Sequence, residues 1–388
     1  PIETMIHDWT PPAKLRKVAT APKTQPSAES IRQLAELISQ SKSPLIITDS
    51  AGRDSQGFYN LVKLAELLAI PVVESAATYS NFPKSHPLHL GFEPGLYLDQ
   101  ADLVLLIGSR SPWYPPNAGP KHATVVAMGE NPIKGHMVYQ NLLADRYVEG
   151  DLALGLGLLI EELHSHAQVS VANVNERRTR WEAEHNRLRD INQKAEAAAV
   201  SLQPIDPVWL CAALSEVMPE NTVYSEETTS HRGAILRHIK WEKPHSYLHP
   251  DGGLGQGLGL ALGAKLAKPD QPVVALMGDG GFLYNPVTQS FGVAREANLP
   301  FLTVVFNNGN YEAMRRNHLH YYPDGDAARS GIYHGVHITG PNYSQLVEPF
   351  GGYGEKVEDP GQLKQALQNG LNAVNEGRIA LIDVVLNK

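Results

Sequence analysis

Two oxygen-bearing side chains, Asp279 and Asn308, stand in glycine-rich surroundings 29 positions apart. The first lies in Gly278-Asp279-Gly280 and the second in Asn307-Asn308-Gly309-Asn310. A carboxylate oxygen and an amide oxygen are hard donors, and small glycines let backbone N–H groups approach an anion. Such a set suits Mg2+ that keeps phosphate oxygens in its shell. Gly-Asp-Gly and Asn-Gly are also common turn sequences, and either alone reads as a turn. The flanking sequence favours a site. Pro272–Met277 is a short apolar run suited to a buried parallel strand. Asn285–Ala297 fits a crossover helix with Pro286 in its first turn, and Phe301–Phe306 fits a second strand. A strand–helix–strand unit sets Asp279 and Asn308 side by side at the carboxyl ends of neighbouring strands, where open α/β sheets take ligands.

Two further segments have chemistry to offer. Ser225-Glu226-Glu227-Thr228-Thr229-Ser230 follows a strand predicted over Asn221–Tyr224. Hydroxyls at such a strand-to-helix junction hydrogen-bond phosphate beside the free N–H groups of a helix start, or simply cap the helix. The run from Gly252 to Gly263 is glycine-rich but lacks a strict Gly-x-Gly-x-x-Gly, and His249-Pro250 ahead of it is not strand-like. Both points argue against a dinucleotide fingerprint.

The elements that must position these residues are those of an α/β chain. Ala28–Gln40 has Ile31, Leu34, Leu37 and Ile38 at helical spacing, Ser43–Thr48 is a strand, Phe58–Leu68 a helix and Ile70–Glu74 a strand. Ala101–Ile107 and Ala123–Met128 are two more strands. Alternating strands and helices predict two doubly wound parallel-sheet domains joined by a linker helix. The predicted division is an extended lead-in over 1–27, a first α/β domain over 28–166, a helical linker over 167–202 and a second α/β domain, the one that carries Asp279 and Asn308, over 203–388. In the linker, Trp181, Leu188, Ile191 and Ala195 should share one side, with the Arg/Glu run solvated. Gly361–Asn375 and Ile379–Leu386 are a last helix and strand.

Bulk properties narrow the function. A chain of 388 residues with 42% hydrophobic and 19% charged residues is an ordinary globular one. The formal charge of −8 argues against a nucleic-acid partner, and no apolar run reaches membrane-spanning length. The lone cysteine, Cys211, reads as a buried helical thiol and fits a reducing cytoplasm. His318–Tyr322 and Tyr333–His337 are rich in His and Tyr; a metal site, a mobile surface loop and a substrate-facing lid are all readings, of which the surface loop is preferred. Ser109–Pro116 is read as packing rather than substrate contact.

Gly278-Asp279-Gly280, 26 intervening residues and Asn307-Asn308 resemble the thiamine-diphosphate fingerprint of the acetolactate synthase, benzoylformate decarboxylase and pyruvate decarboxylase superfamily. Ser43–Ile47, Ala65–Val73 and His86–Gly91 resemble its central domain. The resemblance implies that Asp279, Asn308 and the carbonyl of Asn310 bind Mg2+, and that Thr228, Thr229, Gly280, Gly281 and Tyr311 border the diphosphate, although many relatives have Ser where this chain has Gly281. It implies that the carbonyl of Gly252 meets the aminopyrimidine and that Leu254 is the apolar wedge that bends the cofactor. Some relatives hold FAD or ADP in the central domain. Gly129-Glu130-Asn131-Pro132 departs from their Asp-Pro pair, so an empty structural domain is expected.

The superfamily also has a pyrimidine-binding domain with a catalytic glutamate. The chain begins at Pro1, near where that domain would end, and no catalytic residue is assigned to it. A separate subunit or an amino-terminal half is expected to supply the glutamate, within a homo-oligomeric assembly. The implied activity is a lyase or ligase acting on a small 2-oxo acid, most like benzoylformate decarboxylase. Acetolactate synthase is the alternative enzyme, and a non-catalytic nucleotide-binding or regulatory subunit the alternative of another class.

Overall fold

The computed structural model describes residues 6–8, 10, 18–133, 143–166, 170–250 and 252–387. Most of the lead-in before residue 18 and residues 167–169 of the expected linker lie outside them. The first half builds α1 (Ala28–Gln40), β1 (Pro44–Thr48), α2 (Ser55–Leu68), β2 (Val72–Glu74), β3 (Leu103–Ile107), β4 (Thr124–Gly129), β5 (Arg146–Glu149) and α3 (Leu152–His166). Its five-stranded sheet has the order β2-β1-β3-β4-β5, with every pair parallel. The helix starts are written locally: Ser27 caps α1 through its hydroxyl and Asp54 caps α2 through its carboxylate. β1 and β3 are buried at every position. That is why they read as unbroken apolar runs rather than as alternation.

The long α4 (Val171–Ala199) leads to α5 (Pro207–Val217), β6 (Val223–Glu227), α6 (Arg232–His238), β7 (Tyr247–Leu248), α7 (Gly257–Ala267), β8 (Val273–Gly278), α8 (Asp279–Tyr284), α9 (Val287–Glu296), β9 (Leu302–Asn307), α10 (Glu312–Tyr321), α11 (Asp326–Ser330), β10 (Tyr353–Val357), α12 (Leu363–Asn375) and β11 (Ala380–Val385). The second sheet has the order β10-β11-β9-β8-β6-β7, again wholly parallel. Apolar cores lie on both faces, one around Leu210, Leu276 and Phe306, the other around Val305, Phe282 and Phe291. Each such fully buried side chain contributes about 1.5–3 kcal/mol before chain entropy is counted.

Four expectations are corrected. Along α4, Trp181 is buried and Leu188 packs on the apolar core around the first sheet, but Ile191 and Ala195 are exposed. Arg177 is buried instead, because its guanidinium donates to the carbonyls of Leu68 (3.1 and 2.7 Å) and Ser41 (3.3 Å) left open at the ends of α2 and α1. The strand predicted to stop at Tyr224 runs on to Glu227, with both glutamates buried. A helical turn, α8, starts directly at Asp279, and the crossover helix follows it only from Val287. The segment around His318, expected as a loop, is the helix α10; the His318 ring packs against Tyr322 and Tyr333.

The halves are stitched together by the segment between β2 and β3. Tyr79 bridges Leu248 of β7 in antiparallel sense, Ser80 N donates to Tyr247 O (3.1 Å), and His249 N donates to Thr78 O (2.9 Å). Lys84 reaches further, donating to the carbonyls of Leu236 and Ile239 at the end of α6. Its ammonium lies 4.0 Å from the Trp241 ring centre, and burial pulls its pKa down to about 7. Cys211 is buried in α5, which raises its thiol pKa. Trp113 packs against the core of the first sheet, whereas Tyr114 is exposed. No helix among the described residues is long and apolar enough to cross a membrane.

Candidate functional site

β8 and β9 are neighbours in register, with Gly278 opposite Phe306. The next residues of the two strands are therefore delivered to one place. Gly309 N donates to Asp279 Oδ2 at 2.7 Å, and Gly280 N donates to Asp279 Oδ1 at 2.8 Å. Asn308 Oδ1 accepts from Asn310 N at 3.0 Å, closing a tight turn in which Gly309 takes a positive φ of 66°. The structure thus brings the Asp279 and Asn308 segments together at the carboxyl ends of the central strands. A strand-like return covers them: Asn310 bridges His337, Ile338 N donates to Gly309 O and Tyr311 N to Val336 O.

Asp279 is 4% exposed, and burial pushes its pKa up to about 6 against the pull of the two N–H groups. Its hydrogen-bond partners are backbone amides, so the carboxylate is short of positive charge. Among the described residues no group of three or more His, Cys, Asp or Glu is placed to hold a metal alone. A cation here would complete its shell with amide, carbonyl and phosphate oxygens, the habit of Mg2+. These residues fit Mg2+ with a diphosphate.

The other candidate residues surround this point. The Tyr311 ring packs against Gly280, where an added Cβ would come within 2.5 Å of Tyr311 Cε1. Gly281 packs against the Glu227 carbonyl. Thr229 is exposed, whereas Thr228 is buried and gives its hydroxyl and its N–H to Glu226 Oε1. In the glycine run, Gly252, Gly253 and Gly255 all take positive φ, which bends the chain so that Leu254 is left half-exposed. The Gly252 carbonyl accepts from the Gln256 side chain and keeps a second lone pair.

The model for "Thiamine pyrophosphate enzyme, C-terminal TPP binding domain" matches residues 227–384, and that for the central domain of the same enzymes matches 31–156. Together they take in well over half of the chain. The chain belongs to the thiamine pyrophosphate enzymes. It is 27% identical over 380 residues to a probable acetolactate synthase large subunit of Methanococcus aeolicus, covering 93% of this chain and 61% of that protein. It is 27% identical over 329 residues to benzoylformate decarboxylase of Pseudomonas aeruginosa, covering 79% of this chain and 57% of that protein. The chain thus spans about three fifths of the length of the curated relatives it matches. The fold is shared with 4-hydroxybenzoylformate decarboxylase of Rhodococcus jostii RHA1, at a TM-score of 0.74 and 24% identity over 96% of this chain and 66% of that one.

In this thiamine pyrophosphate enzyme three residues near the site escaped the sequence reading. His231 is buried, stacks obliquely on Phe306 and has its Nε2 3.2 Å from Asn308 Nδ2. Burial lowers its pKa to about 4, so the neutral ring accepts from the amide and turns the Asn308 oxygen the other way. Glu226 is fully buried, bonded by Thr228, by the Tyr247 hydroxyl (2.9 Å) and by His249 Nδ1 (2.8 Å). Glu227 accepts the amides of Gly255, Gln256 and Gly257. Neither glutamate could have been placed from its neighbours, since their partners lie up to 58 residues away.

Proposed function

We propose that this chain carries the diphosphate-binding part of a thiamine-diphosphate- and Mg2+-dependent enzyme that breaks or joins a C–C bond of 2-oxo acids, most like benzoylformate decarboxylase. The observation that carries it is the Gly309 N–H on Asp279, which draws a charge-poor carboxylate and the Asn308 turn to one point. Asp279, Asn308 and the Asn310 carbonyl hold Mg2+ in this reading. Thr228, Thr229, Gly280, Gly281 and Tyr311 border the diphosphate, and Gly252 and Leu254 meet the other end of the cofactor. When bound, thiamine diphosphate supplies the carbon nucleophile for 2-oxo-acid chemistry. The chain's own part would be to hold it in place, with Leu254 as the apolar wedge and the Gly252 carbonyl as an acceptor, so that its reacting groups are oriented before substrate arrives.

A pyrimidine-binding domain, from a separate polypeptide or another part of the same one, completes the site. Two points support this. Glu226 and Glu227 are committed to hydrogen bonds inside this chain and are not free to face a pyrimidine. Leu254, Leu283 and Tyr284 are exposed near the bent turn, more apolar surface than a solvated turn needs. The central domain acts as structure rather than as a nucleotide site. In its crevice the cations Lys23 and Arg53 are already paired with Asp54, Asp151 and Glu130.

Acetolactate synthase is the second reading, favoured by the names of several relatives. Incubating the completed assembly with pyruvate and with an aryl 2-oxo acid separates the two: aldehyde alone supports the decarboxylase, acetolactate the synthase. Calorimetry that finds no Mg2+-dependent binding of thiamine diphosphate to that assembly would sink both and leave a non-catalytic subunit.

A further inference from the structure

Glu227 closes β6 with its side chain turned inward, 3% exposed. Its Oε1 accepts from Gly255 N at 2.7 Å, and its Oε2 accepts from Gln256 N at 2.9 Å and from Gly257 N. These are amides at the start of α7, groups no helix can satisfy from within. A carboxylate is the natural filling for that position, because the helix end carries partial positive charge. The slot is narrow: a Cβ on Gly257 would lie 2.9 Å from Glu227 Oε2.

Asn285 completes the arrangement. Its Nδ2 donates to Gly281 O (2.9 Å) and to Glu227 Oε2 (3.3 Å), while its Oδ1 accepts from Leu258 N (3.0 Å). It is buried as well. One side chain therefore grips the start of α7, the first turn of α8 and the glutamate between them. On one side of this pair lies the bend that carries Gly252 and Leu254, and on the other lie Gly280 and Gly281. Thr228 is the next residue after Glu227 in the chain.

We infer that Glu227 and Asn285 are positioning residues that set the spacing between the Leu254 bend and the Gly280–Gly281 turn, and so the length of cofactor the site accepts. The inference rests on the proposed thiamine-diphosphate reading and goes beyond it. It has a corollary: the amides at the start of α7 are occupied by the chain's own carboxylate and are not open to the diphosphate. Glu227→Gln replaces one acceptor oxygen with an N–H pointing at another N–H. Glu227→Asp keeps the charge but falls one methylene short. Asn285→Ala cuts the link to Gly281 and leaves Glu227 in place.

The test titrates the assembly completed by the pyrimidine-binding domain with magnesium pyrophosphate and with magnesium thiamine diphosphate by calorimetry. Pyrophosphate needs one end of the site; the whole cofactor needs both ends at the right separation. The variants Glu227→Gln and Asn285→Ala should lose roughly tenfold of the wild-type preference for thiamine diphosphate, the size of one charge-assisted hydrogen bond, with pyrophosphate binding little changed. Glu227→Asp should recover part of it. Amide exchange at residues 255–257, followed without ligand, should quicken in Glu227→Gln. An unchanged preference in both variants overturns the inference alone. If Glu227→Gln fails to fold, Asn285→Ala decides by the same ratio. A wild-type assembly that binds neither ligand would sink the functional reading and this inference with it.

Discussion

At the strand tips of the first sheet, acids and bases of the chain answer one another; at the tips of the second, a carboxylate is answered by backbone amides alone. Lys23 Nζ lies 3.0 Å from Asp54 and 3.1 Å from Asp151, and Arg53 lies 2.7 Å from Glu130, around a crevice of about 910 Å3. Asp279 has Gly280 N and Gly309 N. The two sheets share parallel architecture and the same kind of ligand-prone edge. What separates them is charge. The cations at the first edge come from the chain itself, whereas Asp279 would need one from outside to carry its charge at little cost.

The largest expected effect tests that contrast directly. Asp279→Asn should cut Mg2+-dependent diphosphate binding by at least ~100-fold, more than loss of a supporting contact costs. Calorimetry that shows a loss under about threefold would break the comparison. Next comes pH. The folded-state pKa of Asp279 is raised from 3.8 to about 6, so the folded chain keeps that proton longer than the unfolded one. Its contribution to stability is full below pH 3.8 and is lost as pH rises through 6, by about 3 kcal/mol at most. Without ligand, the stability of the wild type should fall relative to Asp279→Asn across that window. Parallel curves would mean the carboxylate is not desolvated.

Smaller effects sharpen the picture. Leu254→Ala should change unfolding stability by no more than ~0.5 kcal/mol, because the side chain is half-exposed, yet should weaken thiamine diphosphate binding relative to pyrophosphate. Equal losses for both ligands would deny it the wedge role. Lys23→Ala, at the first edge, should cost less than about 1 kcal/mol and should fade in high salt. Denaturation at two ionic strengths reads this out, and a loss insensitive to salt would show that the first edge depends on more than ion pairs.

The alternation of strands and helices was legible because the central strands are covered on both faces and so are written as plain apolar runs, such as Leu103–Ile107. Asp279 and Asn308 were legible for a related reason: the strands fix where they emerge. Glu226 and Glu227 were not. Two adjacent acids look like the end of a strand, and only the amides of Gly255–Gly257 and the hydroxyl of Tyr247 make burying them tolerable. A chain rule that sees nearest neighbours cannot see that. Arg177 failed the same way, since the carbonyls that draw it inward belong to Leu68 and Ser41. His231 had a faint signal, a histidine just after Thr228-Thr229-Ser230 at a helix start, but nothing pointed it at Asn308.

Lys84 has a consequence for anyone wishing to dissect the molecule. Its ammonium is seated on the last carbonyls of α6 and under Trp241, yet it belongs to the half that carries the first sheet. Cutting the chain near residue 200 would strand a bare indole and two orphan carbonyls on one fragment and a hungry cation on the other. The piece that begins there should therefore be less stable apart and recover stability when mixed with the other, because the lysine, the indole and the two carbonyls satisfy one another across the cut.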